Sequence, residues 1–127
     1  MEPIAIAAAT LVAKWAAEAI VGEAAKSAWA GLTKIYNAVK DKFAGDQEST
    51  EVLDRLEQKP NSQGRVTELA EVLDKRMKAD PNFAKELASL VKEAGQDPGS
   101  GSFVTQVMDN ARVGKIVNIG SAGNVSF

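Results

Sequence analysis

Apolar positions recur along the chain in two distinct patterns. From residue 4 to residue 21 they are nearly continuous: IAIAAATLVAKWAAEAIV contains no proline and is interrupted only by Thr10, Lys14 and Glu18. Alanine-rich sequence favours helix strongly, and a spacing of four lines those three polar residues up in one narrow stripe. A helix that is apolar nearly all round is buried, either in a protein core or in lipid. Gly22 then marks a break or kink.

The next stretches alternate in the ordinary amphipathic way. Over residues 23–43, Ala25, Trp29, Leu32, Tyr36, Val39 and Phe43 recur in steps of three and four, with Lys26, Lys34, Asn37, Lys40 and Asp41 on the other side. This predicts a helix with one bundle-facing seam, closed by Gly45 as a left-handed cap. A polar segment, GDQEST, leads to a short helix over residues 50–58 with Val52, Leu53 and Leu56 as its core. Pro60 stops it by disfavouring helical geometry at Lys59. A helix over residues 63–79 presents Val66, Leu69, Ala70, Leu73 and Met77 on one face. In DPNF, Asp80 is a good N-cap with Pro81 at the first helical position. The helix that follows runs to about residue 93 and offers Phe83, Leu87, Leu90, Val91 and Ala94, with Gly95 ending it.

The pattern then changes. GQDPGSGS, Gly95 to Ser102, is a linker by composition, and beyond it the chain turns to β-branched residues between polar ones: VGKIVNI, GSAG, NVSF. The expected fold class is therefore all-α. A bundle of four to five helices occupies residues 1–95, a flexible linker residues 96–102, and a short β-prone tail residues 103–127. In strand geometry Val113, Lys115, Val117 and Ile119 share one face and Gly114, Ile116 and Asn118 the other. Gly120 and Gly123 permit a reversal, after which Val125 and Phe127 again point together. Two short strands make no stable sheet alone in water. They either dock on the bundle as a hairpin or stack on copies of themselves. High β propensity, low charge and amide ladders from Asn118 and Asn124 fit the second, cross-β arrangement.

Composition narrows the chemistry. The chain carries neither cysteine nor histidine, which removes disulfides, thiolate nucleophiles, imidazole bases and the usual zinc ligands together. No enzyme, metal or cofactor is expected. A net charge of −2 gives no steering toward nucleic acid. The acidic group Asp41, Asp46, Glu48 and Glu51 lacks the order of a calcium loop. Lys75, Arg76 and Lys78 are balanced by Glu68, Glu71 and Asp74 at helical spacing, as in surface ion pairing. GSGSF and GSAG hold no phosphate-loop lysine. The start, MEPIAIAAATLVAKW, has no basic residue ahead of its apolar run, unlike a secretory signal, so a cytoplasmic chain is expected.

The tail NARVGKIVNIGSAGNVSF resembles bacterial amyloid signalling sequences, short C-terminal motifs similar to the homotypic interaction motif of necroptosis kinases. That motif has an apolar–Gln–apolar–Gly core and an Asn three residues after the glycine. Val117-Asn118-Ile119-Gly120 matches the core with Asn in place of Gln. Gly123 stands where the later Asn is expected, and Asn124 follows it. A small helical domain with a very apolar first helix ahead of such a tail is similar to the bacterial Bell domain. It also resembles the fungal HeLo-type domains and the executioner domain of the mixed-lineage-kinase-like pseudokinase. The resemblance implies a cell-death effector in bacterial immunity. Its motif (Val113, Gly114, Ile116, Val117, Asn118, Ile119, Gly120, Gly123, Asn124, Val125 and Phe127) would be templated by a receptor carrying a matching sequence. The chain would then self-assemble and permeabilise the cell membrane.

Magnitudes bear on the membrane step. Ile4, Ile6, Leu11, Val12, Ile20 and Val21 favour insertion by about 2–4 kcal/mol together, while Lys14 and Glu18 cost about 5–7 kcal/mol. A lone helix stays out. Several copies that turn Thr10, Lys14 and Glu18 inward and present Ile4, Ile6, Leu11, Val12 and Trp15 to lipid remove that penalty, and a fibril supplies the crowding. The rival expectation is a soluble helical adaptor or dimerisation module with a docked C-terminal hairpin. In that case the first helix is simply the core helix, and Trp15 and Trp29 are core residues.

Overall fold

Residues 3–21, 30–96 and 101–112 are described by a computed structural model. They form six α-helices: α1 Pro3–Val21, α2 Ala30–Phe43, α3 Gln47–Gln58, α4 Gln63–Ala79, α5 Pro81–Gly95 and α6 Gly101–Arg112. No strand occurs among the described residues. The chain is all-α, as expected.

The helix ends follow local chemistry. Gly45 adopts φ +89°, the left-handed geometry that glycine enters without a Cβ penalty, and it separates α2 from α3. Ser62 caps α4, its Oγ accepting from the backbone N–H of Arg65 at 3.4 Å. Asp80 caps α5, its carboxylate accepting from the backbone N–H groups of Asn82 at 3.1 Å and Phe83 at 3.3 Å. Pro81 supplies the first turn with a residue that has no N–H to satisfy. The Asp80 carboxylate also pairs with Lys42 of α2, so one side chain both starts α5 and ties it to α2.

α1 lies at the centre. It packs on all five other described helices, most extensively on α4 and then on α6. Around it α2 touches α3, α3 touches α4, α4 touches α5 and α5 touches α6, and α2 also packs on α5. Alanine explains how one helix accommodates so many neighbours: Ala5, Ala7, Ala8, Ala9 and Ala13 are wholly buried. Interaxial distance depends on side-chain size at the contact, and a methyl group lets several helices approach at once.

The core agrees with most of the sequence pattern. Val66, Leu69, Ala70, Leu73 and Met77 of α4 are all buried. In α5, Phe83, Leu87, Val91 and Ala94 are buried, and Leu90 is half-buried against the core. In α2, Leu32, Tyr36, Val39 and Phe43 are joined by Ile35, which the seam had omitted. Ala25, Trp29 and Gly22 lie outside the described residues.

Two boundaries are corrected. The short helix starts at Gln47 rather than residue 50, so most of GDQEST is its first turn. Ser49 is buried there, donating to Asp46 at 2.7 Å and accepting from Arg76 Nη2 at 3.2 Å, while Asp46 also pairs with Arg76. The larger correction concerns residues 103–112, assigned above to the β-prone tail, which are helical. Gly101 and Ser102, read as linker, already belong to α6. Val104, Val107 and Ala111 are buried, and Phe103 and Met108 pack against the core. The bundle therefore extends to Arg112. The motif residues Val113, Gly114, Ile116, Val117, Asn118, Ile119, Gly120, Gly123, Asn124, Val125 and Phe127 lie outside the described residues.

Candidate functional site

The feature most open to a functional reading is α1 and the ring of helices that encloses it. Of the residues expected to meet lipid, Ile6, Leu11 and Val12 are buried at 5%, 0% and 0% exposure. Ile4 and Trp15 are half-buried against the core. Burying a large aliphatic side chain is worth about 1.5–3 kcal/mol, so these three hold α1 with about 5–9 kcal/mol of apolar burial. In this fold none of the three is available to a bilayer without displacement of neighbouring helices.

The polar stripe is not a water-facing band at its first position. Thr10 is wholly buried, and its hydroxyl donates to the carbonyl of Ile6, one turn back, at 2.8 Å. That i to i−4 bond satisfies the hydroxyl inside its own helix, so Thr10 requires nothing from its surroundings. Lys14 is half-buried and holds its ammonium 5.4 Å from the centroid of the Phe103 ring of α6, within cation–π range. The side chain of Glu18 lies outside the described residues.

Trp15 makes the adjoining contact to α2. Its ring stacks on Tyr36 with centroids 4.0 Å apart and planes 16° from parallel, and its indole N–H donates to Thr33 Oγ1 at 2.9 Å. Tyr36 in turn donates its hydroxyl to Glu57 of α3 at 2.8 Å. Burial, and then the bond to the Glu57 carboxylate, push the phenol well above its ordinary range. The second half of α1 is thus tied to α6 through Lys14 and to α2 and α3 through Trp15 and Tyr36. Sequence spacing gave no sign of these partners, because each pair lies far apart along the chain.

Among the described residues no buried side-chain polar atom lacks a partner. Ion pairs include Arg55 with Glu68 at 3.0 Å, both exposed, and exposed Lys78 with the largely covered Asp74 at 3.0 Å. Arg76 reaches outside its own helix to Asp46. At 19 residues α1 is about 28 Å long, close to the hydrocarbon thickness of about 30 Å. Yet among the described residues no helix is long and apolar enough to cross a membrane. Alanine fills most of the apolar arc with little hydrophobic area, and Lys14 interrupts it.

α6 is the element the sequence pattern missed, and it links two candidate regions. Its buried face packs on α1 and α5, and its last residue, Arg112, leads directly into residues 113–127. A family model, the Het-E N-terminal domain, matches residues 1–126 of the chain. No match was found among curated proteins or among solved structures.

Proposed function

The chain belongs to the Het-E N-terminal domain family, which is related to the HeLo cell-death domains, and on that premise we propose that it is a cell-death effector switched on by amyloid templating of its C-terminal motif. A receptor with a matching motif seeds residues 113–127, copies of the chain stack through those residues, and the crowded bundles release α1 into the cell membrane. At rest the protein is cytoplasmic. One observation carries this reading: α6 packs on α1, and its last residue, Arg112, immediately precedes the motif in the sequence. Any rearrangement of the motif that strains α6 bears on the cover of α1.

The energies set the conditions. Moving Ile6, Leu11 and Val12 into water forfeits about 5–9 kcal/mol, so release into solvent alone is uphill. Lipid restores the apolar burial but charges about 5–7 kcal/mol for Lys14 and Glu18. Assembly with Thr10, Lys14 and Glu18 turned inward relieves that cost, because polar residues at membrane depth are tolerated when they face water or one another. Thr10 is suited to either environment, since its hydroxyl is already satisfied within α1.

The complete burial of Leu11 and Val12 favours a second reading, in which α1 is only the core of a soluble adaptor or dimerisation module. Dye release from liposomes separates the two. Full-length protein should leak little dye alone and much more when preformed fibrils of a peptide covering residues 113–127 are added. Fibrils that recruit the protein without releasing dye would overturn the membrane step and leave the adaptor reading.

A further inference from the structure

A groove of about 300 Å³ opens between α5 and α6 beside the start of α1. Its lining is aliphatic: Ile4, Ala88 and Met108 are half-buried, and Val91 and Val104 are covered. Small-molecule sites occupy about 300–1,000 Å³ and combine such a lining with a few placed polar groups. Here those groups are charged. Lys92 of α5 and Arg112 of α6 border the groove from its two helices, and the Asp109 carboxylate lies on the same border. Lys92 makes no ion pair or hydrogen bond among the described residues. Arg112 approaches Asp109 only to 3.8 Å, and both side chains are about two-thirds exposed, at 68% and 67%. Two cations against one carboxylate leave the border positive.

We propose that this groove binds a free monocarboxylate with a medium-length aliphatic chain, its tail along the lining and its carboxylate between Lys92 and Arg112. Each part of the ligand answers a part of the site. A single positive charge in excess suits a monoanion better than a doubly charged phosphate ester. An arginine can present two parallel N–H groups to a carboxylate, and the contact of Arg112 with Asp109 is too long for a hydrogen bond, so those donors are available. No aromatic ring lines the groove among the described residues, which favours a flexible chain over a planar ligand. Length follows from the helix. The positions from Val104 to Arg112 rise about 12 Å, and an extended alkyl chain advances about 1.3 Å per C–C bond of about 1.5 Å, so about ten carbons span them.

The groove joins three elements. A ligand seated in it meets α1 at Ile4, α5 at Ala88 and α6 at Met108, and so adds to the contacts that α6 loses on leaving the bundle. Binding stabilises whichever state holds the site, here the one in which α6 covers α1. This consequence for regulation rests on the templating reading given above, whereas the site itself does not.

Titration of the full-length protein with sodium decanoate below its micellar concentration, followed by backbone amide chemical shifts, tests the site. Decanoate should bind saturably with a dissociation constant in the millimolar range, as a ligand of this size allows, and the shifts should centre on residues 88–95 and 104–112. Lys92→Gln with Arg112→Gln replaces two exposed side chains by uncharged helix formers, so the fold is retained. Affinity for decanoate should fall about tenfold in that double variant, the scale of two exposed charge contacts, whereas 1-decanol should bind it and the wild type alike. Ala88→Phe fills the groove without touching its charges and should abolish the saturable shifts, with unchanged circular dichroism verifying the fold. Shifts that never saturate, or equal decanoate affinity in the wild type and the double variant, would overturn the proposal. Retention on phosphatidylglycerol vesicles that Ala88→Phe removes, without binding of free decanoate, would overturn it in favour of a bilayer. Fibril-seeded assembly followed in parallel should slow with decanoate in the wild type and not in Ala88→Phe. If neither protein assembles, the templating reading fails while the titration still decides the site.

Discussion

α1 and α5 are helices of similar length with opposite relations to water. α5 buries Phe83, Leu87, Val91 and Ala94 and leaves Lys85, Glu86, Lys92 and Glu93 exposed. In α1 every residue from Ala5 to Ala13 is buried. A ring helix has one face to satisfy and fills it with large side chains. A central helix has no solvent side, so it must satisfy several neighbours simultaneously, and it does so with alanine and a hydroxyl that bonds to its own backbone. Small side chains bring the backbones together but contribute little hydrophobic area. The helix best enclosed by this fold is therefore held by few large groups, chiefly Ile6, Leu11 and Val12.

That contrast can be broken by substitution. Leu11→Ala should cost about 2–5 kcal/mol in urea unfolding. Leu90→Ala, at a half-buried position of α5, should cost clearly less, and equal losses would mean α1 is no more central than its neighbours. Enlarging an α1 methyl sharpens the test. Ala8→Leu should destabilise by about 1–3 kcal/mol through overpacking, while Ala79→Leu, on the exposed end of α4, should stay within about 0.5 kcal/mol. An Ala8→Leu protein of wild-type stability would refute the close-approach argument.

The ties between α1 and the ring give smaller effects. Tyr36→Phe keeps the ring that stacks on Trp15 and removes the bond to Glu57, for a loss of about 1 kcal/mol. The phenol is raised in the fold, so its contribution is complete below the ordinary tyrosine value of about 10 and is lost as pH rises through the higher folded value. Tyr36→Phe should flatten that alkaline decline in thermal melts. The smallest effect concerns α5 and α2. Lys42, and then the backbone N–H of Phe83, hold the Asp80 carboxyl below its ordinary value. Its contribution is present above that ordinary value and disappears as pH falls through the lowered one. Asp80→Asn retains a capping oxygen but loses the charge, and acid titration of the melting temperature should show a shallower fall than in the wild type.

Much of the ring was legible along the chain. The inward face of α4, the Asp80–Pro81 start of α5 and the left-handed Gly45 all depend on spacing or on one residue's backbone chemistry, which neighbouring residues specify. α6 was not legible, although Phe103, Val104, Val107, Met108 and Ala111 do repeat at helical intervals. The repeat is short, it follows a glycine- and serine-rich stretch, and its valines also suit a strand. An isolated helix of 12 residues is marginal in water, so packing on α1 and α5 had to decide it.

The sequence by itself determined that the chain is a helical bundle, that its first helix is apolar nearly all round, and that histidine and cysteine chemistry is excluded. Only the packing of the helices shows that this helix is covered, that Thr10 is sealed inside while Lys14 and Trp15 reach to α6 and α2, and that the bundle continues to Arg112. The reason is one of range. Helical periodicity is written within a few residues, whereas what covers a face depends on segments dozens of positions away, and no local pattern records which of them arrives.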